Sequence, residues 1–289
     1  MSPNTEGASA TGVARPPHRG TQVYWAMPRA PRSTAELEID PARRREFSRR
    51  LRAWFKSHGR DLPWRRTRDP YRVLVSELML QQTQVSRVVD YYERFLARFP
   101  TLDHVAEAPR RSVLKSWAGL GYYARARNLH ALARHVTRDG GTIPDDPVRL
   151  RDLPGIGAYT AGAVASFAYE RRAALVDTNV ARVLHRVFLP AVDPKSSRGQ
   201  RASWAIAERL LPPTGRHTWT HNQALMELGA LICTARVRHC DRCPVARVCA
   251  TRLADRNATR AGQPLVPLAR RPPQERRQRR PVPRSDAAG

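Results

Sequence analysis

Two carboxylates and four cysteines are the residues of this chain whose types and settings point to chemistry. Glu77 stands between Val75 and Leu78 in a strongly apolar helical stretch. A carboxyl group pressed into such surroundings ionises less readily than in water, which suits a general acid. A helix-surface Glu paired with a neighbouring Arg is the plainer alternative, and position alone favours it. Asp177 follows the apolar run Ala173-Ala174-Leu175-Val176 and precedes Thr178-Asn179-Val180. It reads as the N-cap of a helix, and a capping carboxylate can also offer an oxygen to a ligand. One acid to protonate a leaving group and one carboxylate to stabilise an oxocarbenium-like sugar are the working pair of glycosidic-bond cleavage.

Cys233, Cys240, Cys243 and Cys249 are the four cysteines of the chain, spaced C-x6-C-x2-C-x5-C. Soft thiolates this close in sequence select zinc or an iron–sulfur cluster. Zinc knuckles usually pair two C-x2-C halves, and only Cys240 and Cys243 form one here. Disulfides would require export. Residues 1–40 are polar and rich in Arg and Pro, with no apolar segment of a signal peptide. The residues themselves leave zinc and a cluster open.

The 289 residues carry a formal net charge of +26. Only Lys56, Lys115 and Lys195 are lysines, so the charge is almost entirely arginine. Arginine bias alone could give a merely solvated surface. An excess of this size is nevertheless self-repelling unless a polyanion neutralises it, which favours phosphate binding. No stretch reaches the roughly 20 apolar residues of a membrane span. The segment Leu153-Pro154-Gly155-Ile156-Gly157 sharpens the expectation. Its two glycines let the backbone turn tightly and present N–H groups at the start of a small-residue helix, which forms an anion site suited to a DNA phosphate. Contacts of that kind position a protein without reading sequence.

These residues must be held by helices. Apolar side chains at Leu74, Leu78, Val85, Val88, Tyr92, Phe95 and Phe99 recur at helical steps. Gln81-Gln82-Thr83 interrupts them, with Thr83 as a candidate cap for a second helix. Further helices are predicted over 110–118, about 122–138 (ending at Gly140-Gly141), 158–169, 178–188, 201–211 and 218–233. With no alternating strands, the fold class is all-α. The expected organisation is a disordered tail over 1–38, an N-terminal helix over 39–66, a helical domain over 67–170, a cysteine-bearing domain over 171–256 and a disordered basic tail over 257–289.

Several stretches together resemble the helix–hairpin–helix DNA glycosylase superfamily, and within it the adenine glycosylases. They are Leu62-Pro63-Trp64-Arg65, the run from Ser76 through Met79-Leu80-Gln81-Gln82-Thr83-Gln84-Val85, the block Gly119-Leu120-Gly121-Tyr122-Tyr123-Ala124-Arg125-Ala126-Arg127-Asn128-Leu129, the hairpin, Val176 to Val183, and the cysteine spacing. They cover about residues 40–250. The resemblance implies a six-helix barrel plus an iron–sulfur domain, with the cleft between them. It implies one 4Fe–4S cluster on the four cysteines, structural and organising a basic loop against phosphates. It implies that Glu77 protonates adenine and Asp177 stabilises the sugar cation, supported by Tyr159 and Asn179. Gln82 and Tyr122 would fill or wedge the duplex, with Leu80, Thr83 and Leu120 in the same DNA-contacting set. Arg60, Trp64 and Arg65 would surround the extruded adenine, and Gly155 and Gly157 would hold phosphate. The implied partner is double-stranded DNA with adenine opposite 8-oxoguanine or guanine. A monomer off the membrane is expected, in the cytoplasm of a bacterium and associated with its nucleoid.

Bifunctional relatives of the endonuclease III type carry a lysine just after the hairpin, where this chain has Tyr159. Without that amine no Schiff base forms, so base removal without strand cleavage is expected. The chain departs from the pattern in two ways. Thr178 follows Asp177 where a glycine is common. The sequence after Cys249 also reads as too short for the MutT-like C-terminal domain of many members, so a short form is expected. Two other readings remain: a mismatch thymine or uracil glycosylase, and a non-catalytic DNA-docking protein.

Overall fold

The structure, a computed structural model, describes residues 38–260. The N-terminal tail to residue 37 and the basic tail beyond residue 260 lie outside that span. The described residues form α-helices, two 3-10 turns and one isolated β-bridge between Cys233 and Arg238, so the all-α expectation holds for them.

The helices fall into two groups. The first contains α2 (Pro70–Leu80), α3 (Val85–Arg98), α4 (Leu102–Glu107), α5 (Arg110–Ser116), α6 (Ala124–Arg138), α7 (Pro147–Arg151) and α8 (Ala158–Phe167). Here α2 lies against α3, α6 and α8, while α4 and α5 pack on α6 and α7 on α8. The second contains α1 (Pro41–His58), α9 (Thr178–Phe188), α10 (Ser197–Leu210), α11 (Gly215–Leu231) and α12 (Ala250–Arg260). Here α9 lies against α10, α11 and α12, and α1 lies along α11. Contact between α8 and α11 joins the groups.

Local sequence explains the elements. Phe47, Leu51 and Phe55 repeat at four-residue steps and are buried on one face of α1. Asp40 caps that helix by accepting from the Arg43 N–H at 2.7 Å. Asp69 caps α2 by accepting from the N–H groups of Tyr71 and Arg72, with Pro70 at the first helical position. In α2 and α8 nearly every residue is buried, so their sequences are apolar all round rather than amphipathic.

The break at Gln81–Thr83 is present, but Thr83 does not cap the second helix. Gln84 is the N-cap of α3 and makes no side-chain capping bond, while the Thr83 hydroxyl turns back to the Gln81 carbonyl. Helix α6 begins at Ala124 rather than 122, because Tyr122 has a left-handed backbone with φ of 48°. Helices α10 and α11 begin earlier than their apolar periods, at caps Ser196 and Thr214. Helices α4 and α7, six and five residues long, are too short to show a period. Helix α12 runs through 257, where composition places the start of the basic tail.

Candidate active site and cysteine pocket

A cleft of about 660 Å³ opens where the two helical groups meet. Glu77 reaches it from α2, Tyr159 from the first turn of α8, and Asp177 from the cap of α9. Glu77 is 3% exposed, and the Tyr159 hydroxyl donates to its Oε2 at 2.9 Å. Burial pushes the Glu77 carboxyl up to about 7; the charge of Asp177 adds to the rise, while the Tyr159 hydrogen bond and Arg65 oppose it. Glu77 is therefore no helix-surface residue. It is a carboxylic acid that still holds much of its proton at neutral pH.

Asp177 is an N-cap and faces the cleft as well. Its Oδ1 accepts from the Val180 N–H at 2.7 Å and its Oδ2 from the Asn179 side-chain amide at 2.9 Å. The Asn179 side chain in turn accepts from Arg182 at 2.7 Å, and Arg182 also donates to the carbonyls of Gly229 and Cys233. The two bonds together fix the Asp177 carboxyl in one orientation. The pair thus differs in setting: Glu77 is buried with its carboxyl raised, and Asp177 is held by two hydrogen bonds at a helix cap.

The far wall of the cleft comes from α11. Glu227 is 1% exposed and binds two arginines: Arg60, whose Nε and Nη2 donate to its two oxygens at 2.7 and 2.9 Å, and Arg65 at 2.8 Å. Burial would raise the Glu227 carboxyl, but the hydrogen bonds from Arg60 and Arg65 hold it down at about 2. Arg65 also donates to Gln223 at 2.8 Å. Arg60 and Arg65 do border the cleft, as the sequence implies, but their guanidiniums are committed to Glu227 and build its wall. Trp64 lies there too, buried edge-to-face against Tyr92. Gln223, Met226 and Glu227 were not singled out in the sequence; a polar Gln and Glu four apart on a buried helix face are the signal that was available.

Leu80, Gln82, Thr83 and Asn179 also line the cleft, so most of the expected set is brought together. Three kinds of residue stand apart. Tyr122 lies outside the cleft and is 59% exposed. Gly155 and Gly157 form the hairpin between α7 and α8, and only Gly155 needs glycine for the turn, with φ of 77°. Leu120 is buried in the hydrophobic core of the protein alone.

The four cysteines line one pocket, walled by Val183, Val187, Leu228, Ile232 and Val245. Burial raises the thiols of Cys240 and Cys249 and pushes Cys243 up to about 12, so the protein alone keeps these three as neutral thiols. Arg186 approaches the Cys233 sulfur at 3.3 Å. Among the described residues no three His, Cys, Asp or Glu side chains converge tightly enough to hold an ion as they stand. The donor set, four soft sulfurs in an apolar shell with arginine beside them, fits a thiolate-bound metal group.

Residues 75–209 match the HhH-GPD superfamily of base excision DNA repair proteins. The fold superposes on a thermostable thymine-DNA glycosylase with a TM-score of 0.67 and 32% identity, covering 74% of this chain and 98% of that one. The chain belongs to the HhH-GPD superfamily. Other members share its sequence closely. It is 43% identical over 231 residues to adenine DNA glycosylase of Rattus norvegicus, covering 76% of this chain and 44% of that protein. It is 44% identical over 199 residues to adenine DNA glycosylase of Mycolicibacterium smegmatis, covering 68% of this chain and 66% of that protein. The chain thus spans less than half the length of the rat relative. An endonuclease III trapped as a covalent intermediate with DNA shares the HhH-GPD fold, with a TM-score of 0.62 and 22% identity over 76% of this chain and all of that one.

Proposed function

We propose that this protein is a monofunctional DNA glycosylase that hydrolyses the N-glycosidic bond of adenine opposite 8-oxoguanine or guanine. The observation that carries the reading is the buried Glu77, held by Tyr159 and raised to about 7, beside the capped Asp177 in one cleft. An adenine extruded from the stack enters the cleft. Glu77 delivers its proton to N7 of the base as the bond to the sugar breaks, and the bonding electron pair leaves with the base. Asp177, held by Asn179 and the Val180 N–H, faces the cation that develops at the sugar. Water adds its hydroxyl to that carbon and returns a proton to Glu77. No lysine lines the cleft, so the sugar has no amine with which to form an imine. Identities near 40% to adenine glycosylases support adenine as the base.

The finer architecture follows. Residues 67–170, which carry the seven helices α2 to α8, form the barrel domain with the hairpin, and α1 joins the domain that bears the cysteines. Cys233, Cys240, Cys243 and Cys249 would hold one 4Fe–4S cluster; when bound, it supplies a charged anchor that orders residues 233–249 and takes no part in hydrolysis. Gln82 and Tyr122 enter the duplex, and the hairpin amides at Gly155 and Gly157 take a phosphate. The protein acts as a monomer on double-stranded DNA. The likeness to a thymine-DNA glycosylase along 98% of that chain favours thymine opposite guanine as a second reading.

Duplexes carrying adenine opposite 8-oxoguanine, adenine opposite guanine, thymine opposite guanine and adenine opposite thymine decide the matter after alkaline cleavage. Breaks at adenine in the first two, dependent on alkali, support the proposal. Breaks at thymine alone move the assignment to the second reading. High-yield trapping of a protein–DNA adduct by borohydride would overturn the monofunctional mechanism.

A further inference from the structure

Arg125 is 6% exposed, lies in the first turn of α6, and has no carboxylate partner among the described residues. Both facts are unfavourable. A buried cation without a counter-ion loses its hydration, and the first turn of a helix repels positive charge. What the guanidinium has instead is a cage of oxygens from the end of α2 with the turn after it and from the turn before α6. One terminal nitrogen donates to the carbonyls of Leu78, Met79 and Gln81 at 2.8, 2.7 and 2.6 Å. The other donates to the carbonyls of Leu120 and Gly121 at 3.3 and 3.0 Å and to the Thr83 hydroxyl at 3.2 Å. Its face lies over the rings of Trp117 and Tyr122, each 5.5 Å away. Leu78 and Met79 end α2, so the guanidinium also satisfies carbonyls that have no partner within that helix.

The two loops share a second feature. Three non-glycine residues among those described have positive φ, and two of them are Gln82 at 55° and Tyr122 at 48°. Side-chain-bearing residues persist in that region only where their surroundings over-determine them. The carbonyl just before each, Gln81 and Gly121, is one that Arg125 holds. One side chain thus fixes both strained turns.

We propose that Arg125 is a positioning residue that locks Gln82 and Tyr122 into one rigid two-pronged element of fixed separation, so that both enter the duplex together. This rests on the reading of Gln82 and Tyr122 as the duplex-entering residues. The planar fork of arginine reaches both loops at once; a lysine ammonium supplies the charge but cannot span them.

The test is a mutant cycle read by single-turnover adenine release, with wild type as reference. Arg125→Gln is expected to slow release by about tenfold or more, with Arg125→Lys between it and wild type. In a Gln82→Ala/Tyr122→Ala background, whose residual rate remains measurable, Arg125→Gln should change release by less than about twofold, because the prongs it sets are gone. An equal loss in both backgrounds would show a general structural role and overturn the proposal, as would a wild-type rate in Arg125→Gln. Should Arg125→Gln fail to fold, Arg125→Lys carries the same comparison. Failure of the glycosylase reading is separate: wild-type protein would then release adenine from no duplex.

Discussion

Glu77 keeps a proton at neutral pH because it is buried, and that burial opposes folding. Its carboxyl rises from 4.5 to about 7. Between those values the folded state holds a proton that the unfolded chain has lost, so this group's contribution to stability falls as pH rises through that window. The whole fall is about 3 kcal/mol. Glu77→Gln removes the titration, so its denaturation midpoint should exceed the wild type's at pH 8 by far more than at pH 4; an equal difference at both pH values would sink the account. Base release in the same variant should drop by about 10²- to 10⁴-fold. Tyr159 works in the opposite sense, since its hydrogen bond favours the charged carboxylate. Tyr159→Phe should move the alkaline limb of the pH–rate profile to higher pH, and a limb that stays put or moves down would show that Tyr159 does not set this proton.

Among the elements, the hairpin separates two uses of glycine. Gly155 sits at φ of 77°, and a Cβ there would meet the Asn128 side chain at 2.4 Å. Gly157 has φ of −93°, and a Cβ would meet nothing within 4 Å. Gly155→Ala should destabilise the fold by about 1–3 kcal/mol. Gly157→Ala should leave stability within about 0.5 kcal/mol while weakening duplex binding if, as proposed, the open space it fills is where a phosphate approaches. Chemical denaturation and duplex titration check the pair, and equal stability losses at both positions would refute the distinction. The elements also show why some of the site was legible and some was not. Asp177 could be read as a cap because N-caps are local, two or three residues from their partners. The hairpin announced itself through Pro and Gly. The resemblance placed Arg60 and Arg65 around the extruded adenine, and their pairing with Glu227 was not legible because it spans more than 160 positions in sequence. Arg125 stood in a motif block with no role assigned to it, since its contacts are to backbone carbonyls of two distant turns that carry no mark in the side-chain sequence. The burial of Leu120 was not legible either, because the motif that carries it marks position and not packing.

For the molecule as a whole, the site belongs to neither group of helices. Glu77 and Tyr159 come from one, Asp177 and Glu227 from the other, and the seam between α8 and α11 holds them in register. Among the described residues no helix is long and apolar enough to cross a membrane, and the chain carries a formal net charge of +26. Affinity for an undamaged duplex should fall by about 10³-fold between 50 and 200 mM salt, the response expected when six or more phosphates are neutralised. A loss of about tenfold or less would assign most of the arginines to solvation.

The packing of α1 along α11 has a further consequence for how the chain is made. Helix α1 ends at His58 and α11 begins at Gly215, so roughly 160 residues separate them. At about 5–20 residues per second, a ribosome needs about 8–30 s to deliver the second after the first. For that interval the face formed by Phe47, Leu51 and Phe55 emerges without the surface that will cover it. Helix α1 thus waits for a partner made much later, and the nascent chain carries an uncovered apolar face until α11 arrives.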